Sequence, residues 1–483
     1  MFNILNFIFL IFLFFFIIIN EYIIIKYYYN TYSFLLIFIY ILPFLNIIFF
    51  FLIIKLSFKK KINKKIIFIK SFINYLINKI KIKQKKIYNK KYKFAKPLFK
   101  LLNKKKGINE INIFLKKKEF KIFSNTKKIF KKIIYDIKLA KKKIEIIFYI
   151  WKQGGIVNKI IEALINASKR GVCCRIILDS IGCYNFLYSN YFKKMCNAGI
   201  KIVKAFKINI FNLFLRRLDI RQHKKLILID NNIVYTGSMN MVDNNCLKNK
   251  IFKYIDIMIR FKGKISNIMN IIYAFDWEME TGKKILFNEK YKKKKFFYNK
   301  KNQNFHIVSS IYNLSNKLIY KVFLTSIYSA KKKIIITSPY FIPTNELIEA
   351  ICKVSLKGIN VILILPKYND CFMLSWANKY FFSKLLNSGV KIYKFKKGLL
   401  HTKSILIDEK VSIIGTVNFD IRSFYLNSEI LLIIEDKKFS NIINQIHKQY
   451  IKKSKILNLK KWNKRSNFKK FFEFFFFLFS PIL

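Results

Sequence analysis

The sequence predicts an α/β fold in which two α/β/α domains, related by a pseudo-twofold axis, follow two N-terminal transmembrane helices. Three observations predict it: an internal repeat, alternating helix-like and strand-like segments within each repeat, and two long apolar runs at the N-terminus. We expect a two-span membrane anchor at 1–60, a basic linker region at 61–125, domains at 126–290 and 300–460, and a basic, Phe-rich C-terminal segment at 461–483.

The internal repeat aligns three stretches of the first half with three stretches of the second. The matched pairs are 140–144 with 330–334, 161–178 with 347–365, and 223–230 with 401–408. Each half reads as strand, helix, strand and then a further strand that carries the third stretch. Two such halves that face each other would form one pseudo-twofold active site.

The two apolar runs cover residues 4–19, with an extension to 25, and residues 34–54. About 20 apolar residues cross the hydrocarbon core of a bilayer, so both runs are predicted spans. Six lysines lie between residues 55 and 65, whereas Lys26 is the only basic residue in the loop between the runs. The positive-inside rule therefore places the bulk of the chain on the cytoplasmic side.

The formal net charge of +67 permits a membrane or nucleic-acid partner but does not select one. Lys, Ile, Asn, Phe and Tyr are abundant throughout the chain, as expected from A/T-rich codons. The seven cysteines are odd in number and include no C-x-x-C pair, so the sequence suggests neither a disulfide framework nor a zinc site. Reduced thiols fit a cytoplasmic location.

The C-terminal segment and the linker region carry no catalytic motif. Residues 61–125 are rich in lysine and weakly patterned. A Phe-rich run at 471–479, interrupted by Glu473, is too short to span a membrane. Two interpretations stay open for it: an interfacial segment on a membrane surface, or an apolar tail folded onto the body of the protein.

The strongest chemical signal is the pattern H-x-K-x4-D, which occurs twice. Its residues are His223, Lys225 and Asp230 in the first copy, and His401, Lys403 and Asp408 in the second. In a strand, residues two positions apart share a face, so each His and its Lys should point into the same space. Each Asp follows its His by an odd step, so it should hold neighbouring structure rather than touch substrate.

Matching downstream residues extend both copies of the motif. They are Gly237, Ser238 and Asn240 in the first half, and Gly415, Thr416 and Asn418 in the second. We expect the glycines to give the backbone room to turn, and the hydroxyls and amides to donate to phosphate oxygens. Imidazole can attack phosphorus while lysine neutralises the non-bridging oxygens, so the set predicts a phosphoryl-transfer site.

Each motif histidine also needs an orienting partner on its second nitrogen. Glu429 is the candidate in the second half, and Asp256 is its equivalent in the first half. The other two histidines, His306 and His447, lack such surroundings, so we interpret them as structural or surface residues.

The paired motifs resemble the phospholipase D superfamily, and longer stretches resemble the bacterial cardiolipin synthases within it. These stretches are 149–151, 216–223, 235–243, 276–282, 338–343, 398–401 and 415–420 with Arg422 and Ser423. The resemblance implies phospholipase D-like domains and a multi-pass protein of the bacterial cytoplasmic (inner) membrane. It further implies that phosphatidylglycerol is both donor and acceptor, with anionic membrane lipids around it.

The resemblance also implies a two-step route that requires no metal and no other cofactor. One histidine attacks the phosphorus to give a phosphatidyl-histidine, and the other protonates the departing glycerol and later deprotonates the attacking hydroxyl. It assigns the nucleophile to His223 and the acid/base to His401, roles that the residues alone do not separate. No nucleic-acid partner is expected.

Three function classes remain open from the sequence. The first is a lipid phosphatidyltransferase, and the second is a hydrolase of the same fold, either a phospholipase D or a nuclease. A transferase that uses another acceptor alcohol belongs with the first class, because no acceptor-binding residue can be identified. The third is a membrane scaffold without catalysis, against which both complete motifs argue. The sequence does not indicate oligomeric state or acyl-chain preference.

Overall fold

The computed structural model describes residues 111–113, 119–207, 220–247, 253–263, 265–283, 285, 304–310 and 318–480. The apolar runs of residues 4–25 and 34–54 lie outside these ranges, as does most of the basic linker region. None of the helices within the described ranges has both the length and the apolar character required to cross a bilayer.

The described residues form strands in both halves of the chain. In chain order they are β1 (Ile111–Ile113), β2 (Phe120–Phe123), β3 (Lys143–Phe148), β4 (Cys173–Asp179), β5 (Lys201–Ala205), β6 (Leu226–Ile229), β7 (Ile233–Gly237), β8 (Tyr254–Ile255), β9 (Met258–Lys262), β10 (Asn304–Ser309), β11 (Lys333–Thr337), β12 (Phe341–Ile342), β13 (Asn360–Pro366), β14 (Lys391–Phe395), β15 (Leu399–Leu400), β16 (Ser404–Ile407), β17 (Val411–Gly415), β18 (Phe419–Asp420), β19 (Ile430–Glu435) and β20 (Ser454–Ile456).

The helices of the same residues lie between and after these strands. They are α1 (Thr126–Lys138), α2 (Gly155–Lys169), α3 (Tyr184–Leu187), α4 (Asn190–Asn197), α5 (Ile265–Thr281), α6 (Leu318–Ser329), α7 (Asn345–Leu356), α8 (Phe372–Ala377), α9 (Phe382–Asn387), α10 (Ile421–Tyr425), α11 (Lys437–Lys452), α12 (Leu459–Asn463) and α13 (Asn467–Leu478).

The two large sheets share one topology. In the described residues, the first sheet has the order β2-β9-β7-β6-β3-β4-β5, and the second has β1-β10-β19-β17-β16-β11-β13-β14-β20. Without its edge strands β1 and β20, the second sheet matches the first strand for strand. In both, the strand between the motif lysine and the motif aspartate, β6 or β16, pairs antiparallel with β3 or β11. The prediction of one α/β sheet in each half is therefore confirmed.

Local sequence explains the outer helices. Helix α1 begins after Asn125, whose side chain accepts the backbone N–H of Lys128 and so caps the helix. Its buried residues include Ile129, Ile133 and Ile137, whose four-residue spacing puts them on one face, toward the sheet. Strand β6 is buried along its whole length, as expected of a strand with both faces covered.

The two sheets face each other across one shared core. This core joins Ile147 and Leu226 of the first sheet with Ile335 and Leu406 of the second, and helices α5 and α11 also contribute to it. Helices α1 and α2 pack on the outer side of the first sheet, and α6 and α7 pack on the outer side of the second. The ends of β6 and β16 that carry the motifs therefore meet at the junction of the two halves.

The C-terminal helix α13 is packed on one side and open on the other. The ring of Phe477 stacks on Tyr380 at a centroid distance of 4.1 Å, so this side folds onto the second half. On the open side, Phe468, Phe471 and Phe474 are 70%, 59% and 46% exposed. Both interpretations of this segment therefore keep a basis in the structure: it folds onto the body and still presents an apolar surface.

Candidate active site

The motif histidines and lysines lie just before β6 and β16 rather than within these strands. All four side chains are buried: His223, Lys225, His401 and Lys403. The expectation that they sit in a regular strand of their own sheet is wrong, because their segments pair with the opposite half. The N–H of His223 donates to the carbonyl of Ser428, and that of His401 donates to the carbonyl of Ile255, both at 3.0 Å.

This cross-pairing decides which carboxylate each histidine receives. The short strand β15 runs parallel to β8, and Gln222 forms an equivalent parallel bridge with Ser428. The residue after Ser428 is Glu429, and the residue after Ile255 is Asp256. His223 Nδ1 lies 2.8 Å from Glu429 Oε1, and His401 Nδ1 lies 2.8 Å from Asp256 Oδ1. Each histidine is therefore oriented by the other half, with Nε2 left for substrate.

The motif hydroxyls hold these carboxylates in place. Ser238 Oγ donates to Asp256 Oδ1 at 2.6 Å, and the Thr416 hydroxyl donates to Glu429 Oε2. In turn, the Ser238 hydroxyl accepts the N–H of Ile257 at 3.0 Å. A hydroxyl has a single hydrogen to donate, and here it is used on a carboxylate. The expectation that Ser238 and Thr416 donate to phosphate is therefore replaced by a supporting role.

Gly237 and Gly415 permit a close approach between strands. A Cβ on Gly237 would lie 2.3 Å from the carbonyl oxygen of Ile257, and one on Gly415 would lie 2.1 Å from that of Ile430. Both glycines end a strand, β7 or β17, and the backbone bends at the next residue, Ser238 or Thr416. Without a side chain, each strand comes close enough for the next hydroxyl to reach its carboxylate.

Each motif lysine donates a hydrogen bond to the main chain of its own motif histidine. Lys225 Nζ donates to the carbonyl of His223 at 2.8 Å, and Lys403 Nζ donates to the carbonyl of His401 at 2.7 Å. Burial lowers the pKa of Lys225 to about 7 and that of Lys403 to about 8. Both ammonium groups thus sit beside the reaction centre, where a phosphate anion would favour their charged forms.

The two histidines differ in their electrostatic surroundings. Burial, followed by the charges of Lys225 and Lys403, holds the pKa of His223 well below its usual range. Burial and Lys403 also lower the pKa of His401, but Asp256 opposes them. Both imidazoles are therefore neutral at pH 7, and His401 is the one with an opposing carboxylate charge.

The two orienting carboxylates also differ, because the pKa of Glu429 is raised and that of Asp256 is lowered. Burial raises the pKa of Glu429 to about 8, although Lys225 opposes this shift. Burial also favours the neutral form of Asp256, but His401 and Lys403 outweigh it and the pKa of Asp256 is lowered. Asp256 is thus ionised at pH 7, and an ionised carboxylate stabilises a neighbouring imidazolium.

The motif aspartates directly follow β6 and β16, and each contacts the start of the neighbouring strand, β3 or β11. Asp230 accepts the backbone N–H groups of Lys141, Lys142 and Lys143 at 2.8, 2.7 and 2.9 Å. Asp408 accepts those of Lys331, Lys332 and Lys333 at 2.9, 2.8 and 2.9 Å. The structure therefore gives both aspartates a supporting place on the main chain rather than a place beside the histidines.

The remaining motif residues and histidines are also buried. Asn240 and Asn418 follow the supporting hydroxyls, and their Oδ1 atoms have no hydrogen-bond partner within the described part of the chain. His447 Nε2 lies 2.8 Å from Ser404 Oγ, and burial lowers the pKa of both His306 and His447 to about 3. These two histidines are structural, and the surface alternative is wrong.

Several residues of the site lie outside the paired motifs. The ring of Tyr149 lies 4.8 Å from that of His223, and the ring of Tyr254 lies 5.2 Å from that of His401. Asp370 accepts a hydrogen bond from Tyr340 Oη at 3.0 Å. A usable signal is the pattern Tyr254-x-Asp256, which puts the tyrosine on the same face as the orienting carboxylate.

Both motif regions match a known protein family. The family described as "Cardiolipin synthase, PLD-like domain" matches residues 133–252 and 323–451. The chain belongs to the cardiolipin synthase family. It is 48% identical over 370 residues to cardiolipin synthase A of Wigglesworthia glossinidia brevipalpis, covering 76% of this chain and 74% of that protein. The family resemblance inferred from the motifs is confirmed.

Two further similarities separate family from fold. Cardiolipin synthase A of Buchnera aphidicola (Acyrthosiphon pisum strain APS) is 46% identical over 368 residues, 76% of each chain. The crystal structure of phosphatidylserine synthase from Haemophilus influenzae superposes with a TM-score of 0.61 at 15% identity, covering 80% of this chain and 100% of that chain. The second similarity concerns the fold alone, and it supports the arrangement of two phospholipase D-like α/β domains.

Proposed function

We propose that this enzyme is a cardiolipin synthase that transfers a phosphatidyl group from one phosphatidylglycerol to another and releases glycerol. The observation that carries the proposal is the reciprocal pairing of His223 with Glu429 and of His401 with Asp256, both at 2.8 Å. It brings two neutral imidazoles and two lysines to one place. Together these four groups can carry out attack at phosphorus, proton transfer and charge neutralisation.

In the first step, Nε2 of His223 attacks the phosphorus of the donor. The bond from phosphorus to the glycerol oxygen breaks, and His401, whose charged form Asp256 and the phosphate anion of the bound donor favour, gives its proton to that oxygen. The surroundings favour these roles. His223 has its pKa held well below the usual range, as a nucleophile requires, while Asp256 stabilises the charged form of His401. The residues alone left the two roles unassigned.

In the second step, a hydroxyl of another phosphatidylglycerol attacks the phosphatidyl-histidine. His401 accepts the hydroxyl proton, the bond between nitrogen and phosphorus breaks, and cardiolipin leaves with His223 regenerated. Lys225 and Lys403 neutralise the non-bridging oxygens in both steps. The buried amides of Asn240 and Asn418 support the proposal as further donors to phosphate.

The experiment that tests this function uses membranes that contain the protein and phosphatidylglycerol labelled in its headgroup and acyl chains. Cardiolipin and free glycerol in equal amounts are expected. Phosphatidic acid as the only lipid product would instead favour a phospholipase D-type hydrolase. A product formed only with another added alcohol would favour a transphosphatidylase with a different acceptor.

We also propose a location for this reaction. Residues 1–60 would anchor the enzyme in the bacterial inner membrane, with both catalytic domains on the cytoplasmic side and residues 61–125 as a basic linker. The apolar runs and the lysines after residue 54 support this topology. The exposed phenylalanines of α13 beside Lys469 and Lys470 support contact of the C-terminal segment with anionic lipid.

A further inference from the structure

A polar cluster beside His401 has no part in the two steps described above. Asp370 lies in the loop between β13 and α8, and its side chain is exposed to solvent. Its Oδ1 accepts a hydrogen bond from Tyr340 Oη at 3.0 Å, and, in addition to burial, Asp370 raises the pKa of the neighbouring Tyr254. Tyr340 therefore holds the exposed carboxylate in place, and Tyr254, from the other half of the chain, lies beside it.

The cluster lies at the edge of the reaction centre. The ring of Tyr254 packs edge-on against the imidazole of His401, with 5.2 Å between ring centres. Asp370 also acts on Lys403, whose pKa it raises against the larger effect of burial. The carboxylate is therefore within electrostatic reach of the second motif, and solvent, or a ligand group, reaches it from outside.

The chemistry of the cluster selects for a hydrogen-bond donor. The Tyr340 hydrogen is directed at Asp370, and the rest of the exposed carboxylate can only accept hydrogen bonds from a ligand. A carboxylate repels a phosphodiester, which has no hydrogen to donate at neutral pH, but it binds hydroxyl groups well. Lys403 is close by and Lys225 lies across the site, so a neutral hydroxyl donor is favoured over an ammonium group.

We propose that Asp370, held by Tyr340 beside Tyr254, is a polyol subsite that binds hydroxyl groups of the glycerol headgroup and places the reacting oxygen at His401. The inference rests on the proposed function and extends it, because it names residues that recognise the acceptor alcohol. The corresponding side of His223 is different in kind. There burial and Asp179 raise the pKa of Tyr149, while Arg422 lowers the pKa of both Tyr149 and His223, so that side combines a buried carboxylate with an arginine.

The consequence is a choice among acceptor alcohols. The second step can be run with a free alcohol, which attacks the phosphatidyl-histidine and gives the corresponding phosphatidyl alcohol. Glycerol offers neighbouring hydroxyls to Asp370, whereas 1-propanol has the same number of carbons and offers none besides the reacting one. A site that hydrogen-bonds a substrate hydroxyl discriminates strongly against the analogue that lacks it.

The test incubates the full-length enzyme with unlabelled phosphatidylglycerol and either radiolabelled glycerol or radiolabelled 1-propanol as the free acceptor, and measures the label that enters lipid. We expect Asp370→Ala to lower the preference for glycerol over 1-propanol by about ten-fold, the loss of one charge-assisted hydrogen bond at a partly solvated site. Tyr340→Phe should shift the preference in the same direction by less, because it frees the carboxylate without removing it. Glu349→Ala, an exposed carboxylate on α7, is the matched control.

Distinct outcomes would overturn the inference and the function. An unchanged glycerol preference in Asp370→Ala, or an equal loss with both alcohols, would overturn the polyol subsite while leaving cardiolipin synthesis intact. A wild-type preference for ethanolamine over glycerol would also overturn it, since the cluster would then bind ammonium groups. Failure of the wild-type enzyme to form cardiolipin from phosphatidylglycerol would count against the proposed function instead.

Discussion

His223 and Glu429 belong to opposite halves of the chain, yet His223 Nδ1 lies 2.8 Å from Glu429 Oε1 in a buried site. The pseudo-twofold-related contact joins His401 to Asp256. Each pair of histidine and carboxylate therefore exists only when the two halves are docked. Separate folding of either half would leave both histidines without their orienting carboxylates.

Removal of an orienting carboxylate should disable the enzyme without unfolding it. We expect Glu429→Gln and Asp256→Asn each to lower kcat by roughly a hundred-fold or more, because the imidazole loses the group that sets its tautomer and orientation. The measurement is cardiolipin formation at saturating phosphatidylglycerol, with Glu349→Gln as a surface control. Activity within two-fold of wild type in either variant would contradict these pairs of histidine and carboxylate.

Replacement of either histidine should abolish turnover, and the two variants should differ in what they accumulate. His401→Ala keeps the proposed nucleophile but loses the acid of the first step and the base of the second, so prolonged incubation with phosphatidylglycerol labelled in its acyl chains should slowly leave label on His223, detectable by peptide mapping. His223→Ala should carry no such label. Substantial cardiolipin synthesis in either variant would refute the mechanism with two histidines, and label on His401 instead would reverse the roles.

The pH dependence of kcat/KM should show two limbs set by the buried groups. Burial lowers the pKa of Lys225 to about 7 and that of Lys403 to about 8, so activity should fall as pH rises through 7 to 8 and the ammonium charges are lost. The acidic limb should lie below the ordinary histidine pKa, since the pKa of His223 is lowered and this imidazole must be neutral to attack. In the residual activity of Lys403→Arg, the alkaline limb should move up, because arginine keeps its charge. An alkaline limb unchanged in that variant would exclude Lys403 as its source.

A buried ion pair next to the first motif should matter for stability. Lys224 Nζ contacts both carboxylate oxygens of Asp276, at 2.7 and 2.8 Å. We expect Asp276→Ala to lower the free energy of unfolding by about 3–5 kcal/mol, because it leaves a buried charge without its partner. Thermal unfolding measures this loss, and the double variant Lys224→Met/Asp276→Leu should recover most of it. A single variant as stable as wild type would show that the pair contributes nothing.

The membrane assignment predicts two separable contributions to binding. Deletion of residues 1–60 should release much of the protein from sedimented membranes. In that shortened chain, Phe468→Ser combined with Phe471→Ser and Phe474→Ser should reduce the remaining binding to anionic vesicles, because the exposed face of α13 loses its apolar groups. Leu356→Ser, at an equally exposed apolar residue on α7, is the control. Unchanged sedimentation after the deletion would contradict the anchor.

Much of the fold could be predicted because patterns among residues close together in the sequence indicate it. Apolar periodicity and the repeat indicate two α/β halves, and the spacing of His, Lys, Ser or Thr, and Asn indicates one joint phosphoryl site. Local rules fail where a segment has a distant partner. They put the His223 segment in a regular strand, whereas it is bonded to Ser428 of the other half. They direct the hydroxyl of Ser238 at phosphate, whereas it is used on Asp256.

The sequence by itself determined the chemistry of this protein: two histidines, two lysines and two candidate carboxylates in repeated surroundings. Only the tertiary structure decided how they combine. Glu429 serves a histidine 206 positions away and Asp256 one 145 positions away, because main-chain pairing across the junction sets each carboxylate beside the opposite motif. The tertiary structure also brings Asp370, Tyr340 and Tyr254 together. Contacts of such long separation depend on how the two sheets dock, which no local pattern encodes.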